Sequence, residues 1–241
     1  MTVLVEREGL PGWLLPVRQA AESVRPEQLS RFLPPPEGGR PSAVLMLFGE
    51  GPLGPDLLLI ERARSLRSHA GQPSFPGGAL DPEDGDPAGP GPVAAALREA
   101  AEETGLDPSG VQVFATLPAL YIPVSDFVVT PVLGWWRRET PVAPVDLAET
   151  GAVFRVPLTD LTDPANRARL KHPSGFTGPA FEVAGRLVWG FTAGVIDRVL
   201  HYSGLARPWD TARTVALSDE AFGPAVRSRA EATGPGSGPA V

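Results

Sequence analysis

Residues 75–106 form the stretch that most constrains this chain: a Gly-Gly turn, an acidic loop rich in proline and a glutamate-rich helix follow one another. Gly91–Pro92 predicts the helix start and Gly105 its end, because proline suits the first helical turn and glycine tolerates the conformation after the last one. At 3.6 residues per turn, a face for burial and an acidic face lie opposite each other. The first comprises Val93, Leu97, Ala100, Ala101 and Thr104, and the second comprises Glu99, Glu102 and Glu103.

The acidic face has two interpretations. Like charges at i and i+4, such as Glu99 and Glu103, cost a helix about 0.2–0.5 kcal/mol, and Arg98 neutralises only part of the cluster. A solvated acidic surface is the simpler interpretation. The alternative is a metal site, because hard divalent cations take oxygen ligands and are shared between carboxylates and a substrate phosphate. The helix alone leaves both open.

Composition narrows the classes of function. The 241 residues are 42% hydrophobic, with a net charge of −7. The chain can therefore bury a core, but it lacks the basic surface expected for nucleic-acid or membrane binding. The absence of cysteine excludes disulfides, thiol catalysis and Cys-based zinc sites. Lys171 is the only lysine, so phosphate recognition would rely on arginine. No signal peptide or apolar span is recognisable, and we expect a cytoplasmic protein.

The pattern along the chain predicts three regions. A helical N-terminal extension covers residues 1–40, the main domain covers 41–205, and a C-terminal extension with a flexible tail from Glu231 covers 206–241. Strands flanked by two main helices indicate an α/β fold with a mixed sheet between helical layers. The predicted strands are 43–48, 57–60, 111–122, 127–136 and 153–156; the predicted helices besides the acidic one are 13–24, 26–33 and 192–202.

Residues 98–106, Arg-Glu-Ala-Ala-Glu-Glu-Thr-Gly-Leu, resemble the second half of the Nudix box, R-E-U-x-E-E-x-G-U, in which U is a bulky aliphatic residue. Gly77 and Gly78 stand where the leading glycines of that box are expected. Ala100 departs from the pattern because it is small where a bulky residue is usual.

The loop inside this motif also departs from the family. It is about six residues longer than usual, and its surplus, residues 85–92, has the Gly- and Pro-rich composition that tolerates insertion at a surface. The sequence does not decide whether Glu83 or Asp84 replaces the glutamate of the family's loop.

Residues 58–78 resemble the signature of coenzyme A pyrophosphatases within the Nudix family, L-(L/M)-T-x-R-(S/A)-x3-R-x3-G-x3-F-P-G-G, with Ile60 where threonine is usual. Similarity to this subgroup extends over about residues 40–205. Coenzyme A carries a diphosphate and a 3′-phosphate, and guanidinium groups bind phosphate in a bidentate manner. The substrate-binding residues that this resemblance implies are Arg62, Arg64, Arg67, Phe75, Gly77 and Gly78.

The resemblance implies a Nudix-type α/β/α sandwich and a metal-dependent hydrolase. The products from coenzyme A, or acyl-CoA, would be 4′-phosphopantetheine and adenosine 3′,5′-bisphosphate. Glu99, Glu102 and Glu103 would hold Mg²⁺ or Mn²⁺, and Arg98 would orient a helix carboxylate or touch phosphate. Glu149 stands where relatives often carry an acid that reaches the metal. Glu102, Glu103 and Glu149 are the candidates for the general base.

Two alternatives stay open. The substrate could be another nucleoside diphosphate derivative, such as ADP-ribose or NADH. The chain could also be a noncatalytic module that binds a nucleotide, although all three helix carboxylates are present. In either case the expected partner is a small molecule, with no nucleic acid and no membrane. A homodimer is common among relatives of this subgroup.

Overall fold

The computed structural model describes residues 6, 8–66, 69–171, 175 and 177–216. In these ranges no helix is both long and apolar enough to cross a lipid bilayer. The α-helices are α1 (Leu15–Ser23), α2 (Pro26–Leu29), α3 (Gly91–Thr104), α4 (Leu158–Thr162) and α5 (Gly190–Tyr202). The strands are β1 (Arg40–Gly51), β2 (Gly54–Arg62), β3 (Pro73–Ser74), β4 (Gly77–Ala79), β5 (Val111–Thr116), β6 (Leu120–Ile122), β7 (Phe127–Trp136), β8 (Thr150–Pro157), β9 (Arg167–Lys171), β10 (Thr177–Val183), β11 (Arg186–Val188) and β12 (Thr214–Ala216).

The main sheet is built around β1. This strand runs parallel to β7 over residues 40–48 and antiparallel to both β2 and β4. β4 pairs with residues 42–44 of β1, whereas β2 pairs with residues 48–51. β3 and β8 pair with β2, and β5 and β6 pair with β7. The predicted mixed sheet is therefore confirmed.

Helices cover both faces of this sheet, because side chains alternate in direction along a strand. Ala43, Leu45 and Leu47 of β1 pack in one apolar cluster with the buried residues of α3. Met46 and Phe48 point the other way, into a cluster that contains apolar residues of α1 and α5. The observed layers confirm the predicted α/β/α architecture and bring the acidic helix beside the centre of the sheet.

Helix α3 begins and ends as predicted. It starts at Gly91, and Gly105 follows it with φ of 71°, the left-handed conformation that glycine adopts without steric cost. Its buried face is broader than predicted, because Ala95 and Ala96 are also fully buried, whereas Ala101 is only partly buried. Small side chains on this face allow the helix to lie close to the sheet.

Several predicted boundaries are wrong. The β1–β2 connection is a tight turn at residues 52–53 rather than an eight-residue loop, since Gly51 already pairs with Gly54. The strand predicted over 111–122 is divided into β5 and β6, and the helix predicted over 26–33 ends at Leu29. The helix predicted over 13–24 is present as a 3-10 turn, Gly12–Leu14, that continues into α1. Strand pairing decides the β1–β2 turn, and Pro118 lies in the gap between β5 and β6; periodicity alone cannot locate these boundaries.

A second sheet was not predicted. Strands β9 to β12 form it in the order β11-β10-β9-β12, and the parallel pairing of β12 with β9 ties residues 214–216 to the main part of the chain. These strands are short, and β10 contains Gly178 and Pro179, so their periodic signal is weak. The division at residues 40 and 205 stays a prediction, and the predicted tail from Glu231 lies outside the described residues.

The end of α3 provides a test of the backbone argument. Replacing Gly105 by Ala is expected to lower the free energy of unfolding by about 1–2 kcal/mol, because a β-carbon disfavours the left-handed region. An added β-carbon there meets only Val145 Cγ2 at 3.8 Å, so the effect would be conformational rather than steric. Urea denaturation measures the change.

Gly194 is the matched control for this substitution. It lies inside α5 at ordinary helical dihedrals, with no atom within 4 Å of an added β-carbon. Gly194→Ala is therefore expected to stabilise the protein by about 0.5–1 kcal/mol. Equal effects of the two substitutions would contradict the assignment of Gly105 as a left-handed cap.

Candidate active site

The Gly-Gly turn predicted from the sequence is the start of strand β4 in the structure; we keep the name Gly-Gly turn for residues 77–78, which pass unusually close to β1. At Gly77, where φ is 152°, an added β-carbon would lie 2.3 Å from the carbonyl oxygen of Ala43 and 2.6 Å from Cα of Val44. Real β-carbons do not make contacts this short with backbone atoms, so only glycine allows β4 to pair with β1 here. The turn thereby brings bare backbone to the surface of α3.

Two carboxylates of α3 face that backbone. Glu103 Oε2 accepts a 2.9 Å hydrogen bond from the Gly77 N–H, and a β-carbon on Gly78 would lie 2.5 Å from the Glu99 carboxylate carbon. Glu99 and Glu103 are one helical turn apart, which explains why both reach the same short strand. Glu102 differs: its side chain is 59% exposed, against 20% for Glu99. The acidic face therefore divides into two inward carboxylates and one outward carboxylate.

The inward carboxylates have perturbed acidities. Burial raises the pKa of Glu103 to about 7. The negative charges of Glu99 and Glu149 raise this pKa further. The hydrogen bond from the Gly77 N–H and the positive charge of Arg62 lower it. Burial also raises the pKa of Glu99, although Arg98 counteracts this. Desolvation and mutual repulsion of carboxylates are thus concentrated beside the Gly-Gly turn.

Arg98 connects the loop, the turn and the helix. Its guanidinium donates to both carboxylate oxygens of Asp84, at 3.1 and 2.8 Å. It also donates to Glu99 at 2.9 Å, to Glu102 at 3.1 Å and to the Ala79 carbonyl oxygen at 3.1 Å. Hydrogen bonding between the pair lowers the pKa of Asp84 and raises that of Arg98. We refer to the Arg98–Asp84 pair as the clamp.

The clamp shows which of the two adjacent loop acids, Glu83 or Asp84, contacts Arg98. Asp84 is the acid that meets Arg98, and it is buried, whereas Glu83 is exposed. The surplus residues after Asp84 form a closed turn, in which the Gly91 N–H donates to the Asp86 carbonyl oxygen at 3.0 Å. The insertion therefore returns the chain to the start of α3 and leaves the clamp intact.

Glu149 reaches the site through backbone pairing. The segment before it is tied to the end of α3 by hydrogen bonds from Ala143 and Val145 to the carbonyl oxygens of Thr104 and Glu103. The Glu149 carbonyl oxygen then accepts a 2.8 Å hydrogen bond from the Ala63 N–H. An exposed loop glutamate is consequently held near the end of β2, where its charge affects Glu103.

The predicted substrate-binding side chains occupy different environments. Arg62 is half-buried, and its Nε has no hydrogen-bond partner among the described residues. Arg64 projects into solvent, with 86% of its side chain exposed. Arg67 lies outside the described residues. Phe75 is only 2% exposed and packs in the core, so it has a packing role behind the turn and offers no surface for a ligand.

Comparison with known proteins identifies the fold family. The model of the NUDIX domain matches residues 39–174, more than half of the chain. The chain belongs to the Nudix family.

Its curated relatives in the Nudix family are similar over most of their length. The chain is 40% identical to the uncharacterized Nudix hydrolase NudL of Cronobacter sakazakii, over 65% of this chain and 79% of the relative. Identity to NudL of Escherichia coli K12 is 38% with the same coverage. The crystal structure of the M. smegmatis Nudix hydrolase RenU is similar with a TM-score of 0.49 and 18% identity, over 72% of this chain and 91% of that one.

Family membership establishes the reaction class: Nudix hydrolases act on the pyrophosphate bond of nucleoside diphosphate derivatives, generally with divalent metal ions. Within the described residues, no three acidic or histidine side chains converge closely enough to form a metal site as they stand. The donor chemistry nevertheless fits, because hard cations take carboxylate oxygens. A cation would also offset the repulsion that Glu99 and Glu149 exert on the partly buried Glu103 carboxylate.

The clamp can be tested by removing one charge. Asp84→Asn is expected to lower the free energy of unfolding by about 2 kcal/mol, because it leaves the mostly buried Arg98 without its bidentate partner. The expected loss is below the range for a fully buried pair, since Arg98 is 25% exposed and keeps other partners. Thermal and urea denaturation measure it.

Glu83→Gln is the matched control, because it removes the same charge from the neighbouring, exposed residue. Its effect on stability is expected to stay within about 0.5 kcal/mol. A destabilisation by Glu83→Gln as large as that by Asp84→Asn would contradict the assignment of Asp84 to the clamp.

Proposed function

We propose that this Nudix hydrolase cleaves the diphosphate of coenzyme A, or of acyl-CoA, to give 4′-phosphopantetheine and adenosine 3′,5′-bisphosphate. The observation that carries the proposal is the position of Arg62. This arginine belongs to the coenzyme A signature, its charge acts on the Glu103 carboxylate, and its buried Nε has a free hydrogen-bonding position. In this proposal, anion recognition by Arg62 and the carboxylates of the acidic helix are at one place.

In this proposal Glu99, Glu102 and Glu103 hold Mg²⁺ or Mn²⁺, and a carbonyl of the Gly77–Gly78 turn is a further candidate ligand. When bound, such a cation offsets charge on the diphosphate and lowers the pKa of the attacking water. The two inward carboxylates would provide ligands that are fixed by the turn. The outward Glu102 would close the site from the solvent side.

Arg98 acts as a positioning residue. Its guanidinium holds Glu99 and Glu102 at 2.9 and 3.1 Å while its other edge is bound to Asp84. A carboxylate held in this way loses less rotamer entropy when it binds a cation. Because five hydrogen bonds to four residues already use the donors of Arg98, we assign the contact with phosphate to Arg62 rather than to Arg98.

Coenzyme A presents more negative charge than a simple nucleoside diphosphate, through its additional 3′-phosphate. The exposed Arg64 would contact this charge at the rim, while Arg62 contacts the diphosphate; Arg67 of the signature stays a predicted phosphate contact. The bare backbone of Gly77 and Gly78 lets the diphosphate approach without a side chain in between. This division of roles would explain why several arginines precede the turn.

The general base must accept a proton from the attacking water, and Glu102, Glu103 and Glu149 are its candidates. Glu149 is the one among them that neither contacts the turn nor pairs with Arg98 in the contacts described above. Glu149→Gln with lowered kcat and unchanged metal affinity would assign the base to Glu149. Lowered metal affinity would instead make it a ligand.

A substrate comparison tests the proposal. Coenzyme A, ADP-ribose, NADH and nucleoside triphosphates are incubated with the full chain in Mg²⁺ and in Mn²⁺, and products are identified by mass. We expect the highest kcat/KM for coenzyme A or its acyl derivative, with the two products named above. Faster cleavage of ADP-ribose or NADH would overturn the assignment to coenzyme A. Binding without any cleavage would instead support a noncatalytic module.

The proposed role of Glu103 as a metal ligand predicts that Glu103→Gln lowers kcat. This change keeps the side-chain shape and an oxygen that can accept from the Gly77 N–H, but removes one ligand charge. We expect kcat to fall on the order of 10²–10³-fold, since electrostatic stabilisation of this kind contributes several kcal/mol. Circular dichroism checks the fold, and Glu83→Gln serves as a control of equal charge change. Undiminished turnover of folded Glu103→Gln would refute the metal role.

The proposed role of Arg62 in binding the substrate's phosphate groups predicts that Arg62→Ala changes KM. Removing this guanidinium is expected to raise KM for coenzyme A at least tenfold, because a charge-assisted contact with the substrate is lost. Arg137→Ala removes an exposed arginine from the end of β7 and should leave KM unchanged. Equal kinetic constants for Arg62→Ala and wild type would contradict the role of Arg62 in binding.

A further inference from the structure

A cleft of about 540 Å³ lies between the second sheet, α5 and the segment that follows α5. None of its lining residues belongs to the proposed diphosphate site. α5 packs on the opposite face of the main sheet from α3, so the cleft and the acidic helix belong to different layers. Its volume falls within the range of about 300–1,000 Å³ that is typical of small-molecule sites.

The lining of this cleft is strongly basic. Arg167 and Arg169 come from β9, Arg198 from α5 and Arg207 from the following segment, against a single acidic lining residue, Asp197. Four arginines and one aspartate leave a formal charge of +3, although the whole chain carries −7. Such a local concentration of arginine in an acidic protein favours an anionic ligand.

Arg167 forms the floor of the cleft and is 1% exposed. Its guanidinium carbon lies 4.4 Å from the ring centre of Phe181 and 4.7 Å from that of Trp209, and the guanidinium pairs with Asp197. Its Nε and Nη1 atoms are buried without a hydrogen-bond partner among the described residues. Buried donors of a charged group are costly to leave unpaired. An acceptor that enters beside Trp209 would relieve that cost.

Asp197 cannot neutralise the cleft alone. Arg198 also donates to it, from Nε at 3.0 Å and from Nη2 at 2.6 Å, so one carboxylate is shared between two guanidinium groups. Arg169 and Arg207 are exposed at the rim, and neither forms an ion pair within the part of the chain that the structure describes. Two guanidinium groups at the rim thus remain available to a ligand.

A purely structural role would account for part of this arrangement. Stacking between two rings and pairing with Asp197 could hold Arg167 for packing alone. That role does not require Arg169 and Arg207 to gather at the same opening, where their mutual repulsion is unfavourable. The rim arginines therefore distinguish a binding site from a packing feature.

We propose that this cleft is a second binding site, for a phosphate monoester carried on an organic molecule of about nucleotide size. Arg169 and Arg207 bind the phosphate at the rim, and Arg167, held by Asp197, provides the charged floor. Guanidinium groups suit phosphate because they donate two parallel hydrogen bonds. The cleft is much larger than a free phosphate ion needs, and Trp209 provides an apolar wall for the rest of the ligand.

Isothermal titration calorimetry on the full chain tests this proposal. The probes are adenosine 5′-monophosphate, ribose 5-phosphate, inorganic phosphate and adenosine, titrated in EDTA so that no metal assists binding at α3. We expect saturable 1:1 binding of the two phosphate monoesters, at least tenfold weaker binding of inorganic phosphate and none of adenosine. Inorganic phosphate binding as tightly as the monoesters, or no saturable binding of either monoester, would overturn the proposal.

Variants then locate the binding. Arg169→Ala/Arg207→Ala changes two exposed residues, so folding should be retained, and it is expected to weaken monoester binding at least tenfold. Arg31→Ala/Arg137→Ala removes the same charge elsewhere and should not weaken it. Arg62→Ala should also bind the monoesters normally. Unchanged affinity in the first variant, or lost affinity in Arg62→Ala, would contradict a separate site in this cleft.

Discussion

The close approach of the Gly77–Gly78 backbone to β1 is the constraint on which the candidate site depends. A side chain at Gly77 would collide with the backbone of β1, and one at Gly78 would collide with the Glu99 carboxylate. Without these two glycines, β4 could not pair with β1 and at the same time contact the acidic helix. The carboxylates would then face solvent, which is the simpler interpretation of a glutamate-rich helix. The turn converts an acidic surface into a cluster of partly desolvated carboxylates.

The clamp between Arg98 and Asp84 gives this cluster its geometry. One guanidinium holds the loop, a carbonyl of β4 and two helix carboxylates, so the loop and helix are fixed relative to each other. The inserted residues after Asp84 do not disturb it, because they close on themselves before the helix begins. A Nudix motif can therefore tolerate a longer loop if the two ends of that loop remain adjacent.

The features that depend on local chemistry could be predicted from the sequence. The caps of α3 follow from Pro92 and Gly105, and the layered fold follows from the strand and helix patterns. The sequence could not choose between Glu83 and Asp84, because burial of one of two adjacent acids depends on the path of the loop. It also missed the second sheet and the basic cleft, since residues 167–169 and 197–209 meet only through tertiary packing.

We propose above all that the inward carboxylates of α3, Glu99 and Glu103, bind a divalent cation at the Gly-Gly turn. Electron paramagnetic resonance measures free Mn²⁺ directly, so a Mn²⁺ titration tests this claim without any substrate. Wild type is expected to bind Mn²⁺, and Glu99→Gln/Glu103→Gln is expected to bind it at least tenfold more weakly while remaining folded. Glu83→Gln should bind as wild type does. Equal Mn²⁺ affinity in wild type and the folded double variant would contradict the claim.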